Sequence, residues 1–64
     1  MKVLLRNPRR ELDVAGPRRV GDLLADLALE REAHLVIRNG TLVPGDAVLD
    51  DTDVVEIRPV ISGG

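Results

Sequence analysis

The sequence lacks cysteine and all three aromatic residue types, and it contains a single histidine. Without cysteine there is neither a disulfide framework nor a thiolate-ligated zinc site. Without Phe, Tyr or Trp the core has to be aliphatic, and there is no aromatic platform on which nucleic-acid bases would stack. We therefore expect no direct nucleic-acid contact by this chain alone.

Long hydrophobic runs are also missing. No apolar stretch approaches the roughly 20 residues needed to cross a bilayer. Residues 1–10 lack the apolar segment of a secretory signal peptide. The sequence accordingly predicts no membrane contact and a cytoplasmic location.

What is present is typical of one small globular domain: 64 residues, 44% hydrophobic and 31% charged. We expect it to be a monomer when free. The net charge of −2 is unevenly distributed, because residues 1–19 carry six basic and two acidic side chains, whereas residues 20–64 carry three basic and nine acidic ones. Such asymmetry indicates either a charged docking partner or an ordinary solvated surface.

One helix is indicated by apolar residues at helical spacing, namely Val20, Leu23, Leu24 and Leu27. Asn39-Gly40 is a strong reverse-turn signal, because both residues tolerate positive φ. One apolar helix stripe and one apolar face per strand must cover each other, which predicts a two-layer α+β domain with a mixed sheet. The predicted order is strands at 2–6 and 10–14, a helix from Val20 to near Leu29, and strands at 34–38, 41–43 and 54–58.

Side chains with catalytic or metal-binding potential are few. His34 has no evident orienting partner, so it is interpreted as a strand-edge histidine. The cluster Asp50, Asp51 and Asp53 lacks the spacing and terminal Glu of a calcium loop and is interpreted as a turn. Ser62 has neither a glycine-flanked elbow nor a base. The sequence predicts no metal site and no independent enzyme.

The chain ends in Gly63-Gly64 soon after the last predicted strand. The sequence resembles the ThiS/MoaD family of bacterial sulfur carriers over the whole chain. The resemblance rests on 20–27 (VGDLLADL) in the predicted helix, 36–40 (VIRNG), 49–57 (LDDTDVVEI) and above all 60–64 (VISGG). The start, 3–6 (VLLR) followed by Pro8, and the ending, 61–64 (ISGG), are most similar to the branch that supplies sulfur for 2-thiouridine in tRNA. The sequence departs from the family at Arg19, where Thr or Ser is frequent, and at Ala28 and Thr52, where Gly is frequent.

The resemblance implies a β-grasp (ubiquitin-like) fold, with a domain at 1–59 and a flexible C-terminal tail at 60–64. It also implies that an E1-like enzyme adenylates the carboxylate of Gly64 and that a sulfur donor of the persulfide, desulfurase or rhodanese type converts it to a thiocarboxylate for an acceptor enzyme. Val60, Ile61, Ser62 and Gly63 would thread into the partner. The chain would be a protein cosubstrate with no bound cofactor, and ATP would be used by the partner.

A partner surface is predicted from strand alternation. Leu4, Val36 and Val54 occupy positions opposite the presumed core, and the first, third and last strands are near neighbours in a β-grasp sheet. These residues would form one exposed apolar patch, unless they are scattered or buried. For the acceptor pathway, tRNA thiolation is favoured, followed by thiamine thiazole and molybdopterin synthesis. Conjugation to lysines through Gly64 and a non-catalytic interaction module are the alternatives.

Overall fold

The computed structural model describes residues 1–6 and 9–60. Its elements follow the predicted order, with two short strands and one turn of 3-10 helix (Arg31–Ala33) added. The elements are β1 (Lys2–Leu5), β2 (Arg10–Asp13), β3 (Arg18–Arg19), α1 (Val20–Asp26), β4 (His34–Arg38), β5 (Thr41–Val43), β6 (Val48–Leu49) and β7 (Val54–Pro59).

Five strands form one mixed sheet in the order β2-β1-β7-β4-β5. β1 and β7 are parallel, whereas the other neighbouring pairs are antiparallel. β3 and β6 form a separate antiparallel pair in which Arg18 lies opposite Leu49. The predicted α+β class, with a mixed sheet and one packed helix, is confirmed. The β3–β6 pair was not predicted, because two residues are too few to show alternation.

The core lies between α1 and one face of the large sheet, and it is aliphatic as predicted. α1 contributes Val20, Leu23 and Leu24, and the sheet face contributes residues that alternate along β1 and β7. The buried residues of the core are Met1, Val3, Val20, Leu23, Leu24, Val36, Leu49, Val55 and Ile57.

The start of α1 has no side-chain cap, since Arg19 makes no capping hydrogen bond. The loop before β6 supplies carbonyl groups instead. The N–H groups of Val20 and Gly21 donate to the carbonyl oxygens of Ala47 and Gly45, each at 3.0 Å. Two of the first N–H groups of the helix are therefore satisfied by main chain, which accounts for the tolerance of arginine at this position.

The helix ends three residues earlier than predicted, at Asp26. Ala28 has φ 58°, in the left-handed region. The N–H of Leu29 donates to the carbonyl of Leu24 at 2.9 Å, and the N–H of Ala28 donates to that of Ala25 at 3.1 Å. This pair of bonds is the Schellman motif, which ends the helix by turning the chain at Ala28.

The predicted boundary between domain and tail falls at the end of β7. Val60 is exposed, yet its N–H donates to the carbonyl of Ala33 at 2.8 Å. The rest of the predicted tail, 61–64, lies outside the described residues. Within 1–6 and 9–60, none of the helices has the length and apolar character needed to span a bilayer.

Candidate functional site

β7, the last strand before the predicted tail, is the central strand of the five-stranded sheet. β7 and β1 are parallel, with Ile57 opposite Leu5, so both strands end at the same edge of the sheet. β4 begins at this edge, where the bond from Val60 to Ala33 closes the ladder. We call this place, formed by Leu5, Ile57, Val60 and Ala33, the exit edge. β7 is therefore paired on both sides, and Val60, which follows it, is the last residue that the structure describes.

Four arginines surround the exit edge, and we call them the arginine group. Arg6 follows β1, Arg10 opens β2 opposite Leu5, and Arg58 lies in β7 next to Ile57. Arg9 lines a shallow cavity together with Arg6 and Arg10. All four are exposed.

Glu56 is the acidic partner of half of this group. Its carboxylate accepts a hydrogen bond from Arg58, and its Oε2 lies 3.7 Å from Nε of Arg6. The hydrogen bond from Arg58, assisted by the charges of Arg58 and Arg6, lowers the pKa of Glu56. Arg9 and Arg10 form no ion pair with any residue in 1–6 or 9–60. The arginine group together with Glu56 thus carries an excess of positive charge.

An open groove of about 220 Å³ lies beside the exit edge on the helix side. Its apolar part comes from the strands and from the segment that follows α1, and its rim carries Arg6, Arg10 and His34. The apolar lining residues are Leu5, Leu12, Leu27, Leu29, Ile57 and Pro59.

The face of the large sheet opposite α1, which we call the outer sheet face, carries five apolar side chains. Glu56 lies between Leu4 and Ile37 across three neighbouring strands, and Ile37 lies opposite Leu42. Leu4 and Ile37 are half-buried, whereas the other three are 43–59% exposed. The five apolar residues are Leu4, Leu35, Ile37, Leu42 and Val54.

The prediction that Val36 belongs to this face is wrong. Val36 is only 3% exposed and lies in the core, paired with Ile57 on one side and Val43 on the other. β4 carries three consecutive apolar residues, so alternation alone did not show which side faces the core. Leu35 and Ile37 occupy the outer face instead. Leu4 and Val54 lie on that face as predicted.

The remaining polar candidates make structural contacts. His34 is half-buried at the start of β4, and its Nδ1 lies 2.8 Å from the carbonyl oxygen of Glu30. Asp53 accepts from the N–H of Asp50 at 2.8 Å and from Nδ2 of Asn39 at 3.0 Å. Across the described parts of the chain, the structure brings no three His, Asp or Glu side chains together as a metal site.

The residues predicted to carry the chemistry lie mostly beyond the described part. Of the predicted tail, only Val60 is described, and it lies at the exit edge with its side chain 44% exposed. Ile61, Ser62, Gly63 and Gly64 lie outside the described residues. The arginine group was not predicted as a group, although the excess of basic residues in 1–19 was its sequence signal.

Comparison with known proteins gives a consistent result. The model of the ThiS family matches residues 3–64. The sulfur carrier protein TtuB of Thermus thermophilus is 34% identical over 65 residues, which cover all of both chains. The crystal structure of the thiamine biosynthesis protein ThiS of Geobacter metallireducens superposes with a TM-score of 0.65 at 28% identity, again over both full chains. The β-grasp fold and the resemblance expected from the sequence are confirmed.

Proposed function

Because this chain belongs to the ThiS family, we propose that it carries sulfur as a thiocarboxylate on its C-terminal Gly64. The observation that supports this most directly is the position of β7. β7 is the central strand of the sheet, and Val60, which follows it, is hydrogen-bonded to Ala33. The sequence Ile61-Ser62-Gly63-Gly64 is thus attached to a well-anchored part of the domain.

The chemistry begins at the terminal carboxylate. A C-terminal carboxyl group has an ordinary pKa of about 3.3–3.7 and is therefore ionised at neutral pH. In an E1-like partner, one carboxylate oxygen attacks the α-phosphorus of ATP, and pyrophosphate leaves. The product is an acyl-adenylate whose leaving group is AMP.

Sulfur enters in the second step. A sulfide attacks the carbonyl carbon of the adenylate, AMP leaves, and the thiocarboxylate remains on Gly64. With a persulfide donor, the terminal sulfur attacks the carbonyl carbon of the adenylate, AMP leaves, and an acyl disulfide forms. A thiol of the donor then cleaves the sulfur–sulfur bond and becomes part of a disulfide, which releases the same thiocarboxylate.

The glycines suit a narrow active site. Gly63 and Gly64 have no Cβ, so the backbone can pass through a slender channel and no side chain crowds the attacked carbonyl. Four residues follow Val60, and they span at most about 14 Å when extended. The reacting group can therefore enter a partner while the sheet stays outside.

The partner contacts we propose are on the outer sheet face. Leu4, Leu35, Ile37, Leu42 and Val54 give it an apolar centre, and Lys2, Glu56 and Arg58 give it charges. Exposed apolar side chains framed by charges are typical of a transient protein interface. We assign this face to the E1-like enzyme and the acceptor enzyme, which would use it in turn in the cytoplasm.

For the acceptor pathway we propose tRNA thiolation, since the Thermus sulfur carrier is similar over the full length. Thiamine synthesis, at its thiazole step, is next, because the Geobacter structure is that of a thiamine biosynthesis protein. Conjugation of Gly64 to lysines would use the same activated carboxyl group and is the second candidate.

The test is an intact-mass measurement. The purified chain is incubated with ATP, the E1-like enzyme of the same cell and a sulfur donor. The expected result is a mass increase equal to replacement of one oxygen by sulfur. A variant lacking Gly64 should show no increase, and a Leu42→Ser variant with the tail intact should be converted, at reduced efficiency.

A mass that stays unchanged, with an enzyme shown to be active on another carrier, would contradict the proposal. A ladder of larger covalent products on other proteins would favour conjugation to lysines.

A further inference from the structure

Three of the six basic residues in 1–19 lie together at one place in the fold. Arg6, Arg9 and Arg10 come from the β1–β2 hairpin, and Arg58 joins them from β7. We propose that the arginine group is a docking surface for an acidic rim around the entrance of the active site into which a partner enzyme takes the tail. This inference rests on the proposed function and adds the chemistry of the partner surface.

The length of the tail compared with that of an arginine side chain determines which part of the partner the arginines can contact. The tail beyond Val60 spans at most about 14 Å, and an arginine side chain is much shorter than that. When Gly64 lies at the reacting nucleotide, the guanidinium groups therefore remain near the body of the domain. They meet the mouth of the channel rather than the phosphates of ATP.

Charge balance indicates an acidic partner. Within the described part of the chain, Arg6 and Arg58 share Glu56, while Arg9 and Arg10 have no carboxylate partner. Glu11, the other acidic residue of the hairpin near this edge, pairs with Lys2 at 3.2 Å. At least two cations at the exit edge are thus available to an external carboxylate.

The negative charge of the rest of the molecule would help to orient the arginine group toward an acidic partner. The net charge is −2 although the exit edge is positive, so the molecule is electrically polarised. An acidic rim would attract the exit edge and repel the remaining surface, which orients the tail toward the channel before contact.

The composition of the chain makes RNA a less suitable partner for the arginine group. The chain has no aromatic side chain for base stacking, and its net charge is negative. A protein carboxylate is thus the expected occupant, and RNA phosphate becomes an outcome of the test.

The chain offers a matched control for that test, because it contains two Arg-Arg pairs. Arg9-Arg10 lies at the exit edge, whereas Arg18-Arg19 lies in β3 beside the start of α1. The double variants R9A/R10A and R18A/R19A remove the same charge. Both remove exposed or half-buried side chains, and none of the four arginines belongs to the core. R18A/R19A also removes the ion pair between Arg18 and Asp26, so its stability is measured alongside its binding.

The experiment measures the dissociation constant of each full-length variant for the E1-like enzyme at several salt concentrations, with thiocarboxylate formation as a separate readout. R9A/R10A should weaken binding about tenfold at low salt and flatten its salt dependence. R18A/R19A should change the dissociation constant less than about twofold, and both variants should reach the same final extent of conversion at saturating concentration.

Equal weakening by the two variants would show that only net charge matters and would overturn the proposal, as would an R9A/R10A variant that binds like wild type. If wild-type chain binds RNA and R9A/R10A does not, the occupant is RNA and the acidic-rim proposal fails. If the wild-type chain never forms a thiocarboxylate, the proposed function itself fails. If all variants form the thiocarboxylate and bind equally well, only the proposal for the arginine group fails.

Discussion

At the scale of single residues, Asn39 and Ala28 both have positive φ, but only Asn39 makes side-chain hydrogen bonds that offset the cost of this conformation. Asn39, with φ 49°, belongs to a type that tolerates the left-handed region. Its side chain also donates to Asp53 and accepts from the N–H of Val54, each at 3.0 Å. Ala28, with φ 58°, has no polar atom with which to compensate. Ala28 is therefore strained in the native state.

The substitution Ala28→Gly should raise the free energy of unfolding by about 0.5–1 kcal/mol, because glycine adopts the left-handed region without the Cβ clash. Ala25→Gly is the control, since Ala25 is an exposed residue inside α1. It should lower the free energy of unfolding by about 0.5–1 kcal/mol. Urea unfolding followed by far-UV circular dichroism measures both, and a destabilised Ala28→Gly variant would contradict the strain at Ala28.

At the scale of elements, alternation was sufficient for some strands and not for others. In β7, Val55 and Ile57 alternate with Glu56 and Arg58, so the pattern alone indicates that Val55 and Ile57 face the core, and both are buried. In β4, the run Leu35-Val36-Ile37 is apolar throughout, so only the pairing of Val36 with Ile57 and Val43 identifies its inner side. A one-residue error in phase exchanges the two faces of a strand.

The substitution Val36→Asp is therefore expected to unfold the domain, because it places an unpaired carboxylate in an apolar core. The matched substitution Leu42→Asp should leave the fold intact, since Leu42 is 59% exposed on the outer sheet face. Thermal unfolding should show loss of the cooperative transition for Val36→Asp alone. Leu42→Asp should instead weaken binding to the E1-like enzyme, and a folded Val36→Asp variant would mean that the core is not as described.

Several features of the fold lay beyond sequence reasoning for identifiable reasons. The end of α1 at Asp26 depends on the turn at Ala28, a residue type that gives no stop signal. The capping of Val20 and Gly21 depends on carbonyl groups more than twenty residues away. The arginine group exists only because β1 and β7 are parallel and end together. Long-range pairing, not local pattern, determines each of these.

At the scale of the whole molecule, exposed carboxylates join segments that are far apart in sequence. Asp51 accepts from the N–H of Gly16 at 2.9 Å and lies 3.5 Å from the N-terminal ammonium group. A Cβ on Gly16 would lie 2.8 Å from the nitrogen of Asp51, so the close approach requires glycine. The hydrogen bond from Gly16, followed by the charge of the ammonium group, lowers the pKa of Asp51.

The pKa values of two other carboxyl groups, those of Asp53 and Glu56, are also lowered. The hydrogen bond from the N–H of Asp50 lowers the pKa of Asp53, and that from Arg58 lowers the pKa of Glu56. A carboxyl group whose pKa is lower in the folded than in the unfolded chain binds fewer protons when folded. Its contribution to stability is complete above its ordinary value and disappears as the pH falls through its folded value.

The melting temperature should therefore be nearly constant at neutral pH and fall as the pH drops below the ordinary pKa values, 4.5 for Glu56 and 3.8 for Asp51 and Asp53. Asp51→Asn and Asp53→Asn should each lower the melting temperature at pH 7 and flatten the acid decrease, because the amide cannot be protonated in that range. Asp46→Asn is the control, since Asp46 forms no hydrogen bond or ion pair through its side chain with other described residues. Calorimetric scans between pH 2.5 and pH 7 (about the range in which carboxyl groups titrate) decide the matter. An acid decrease that is as steep in Asp51→Asn and Asp53→Asn as in wild type would show that these carboxylates do not link the segments they contact.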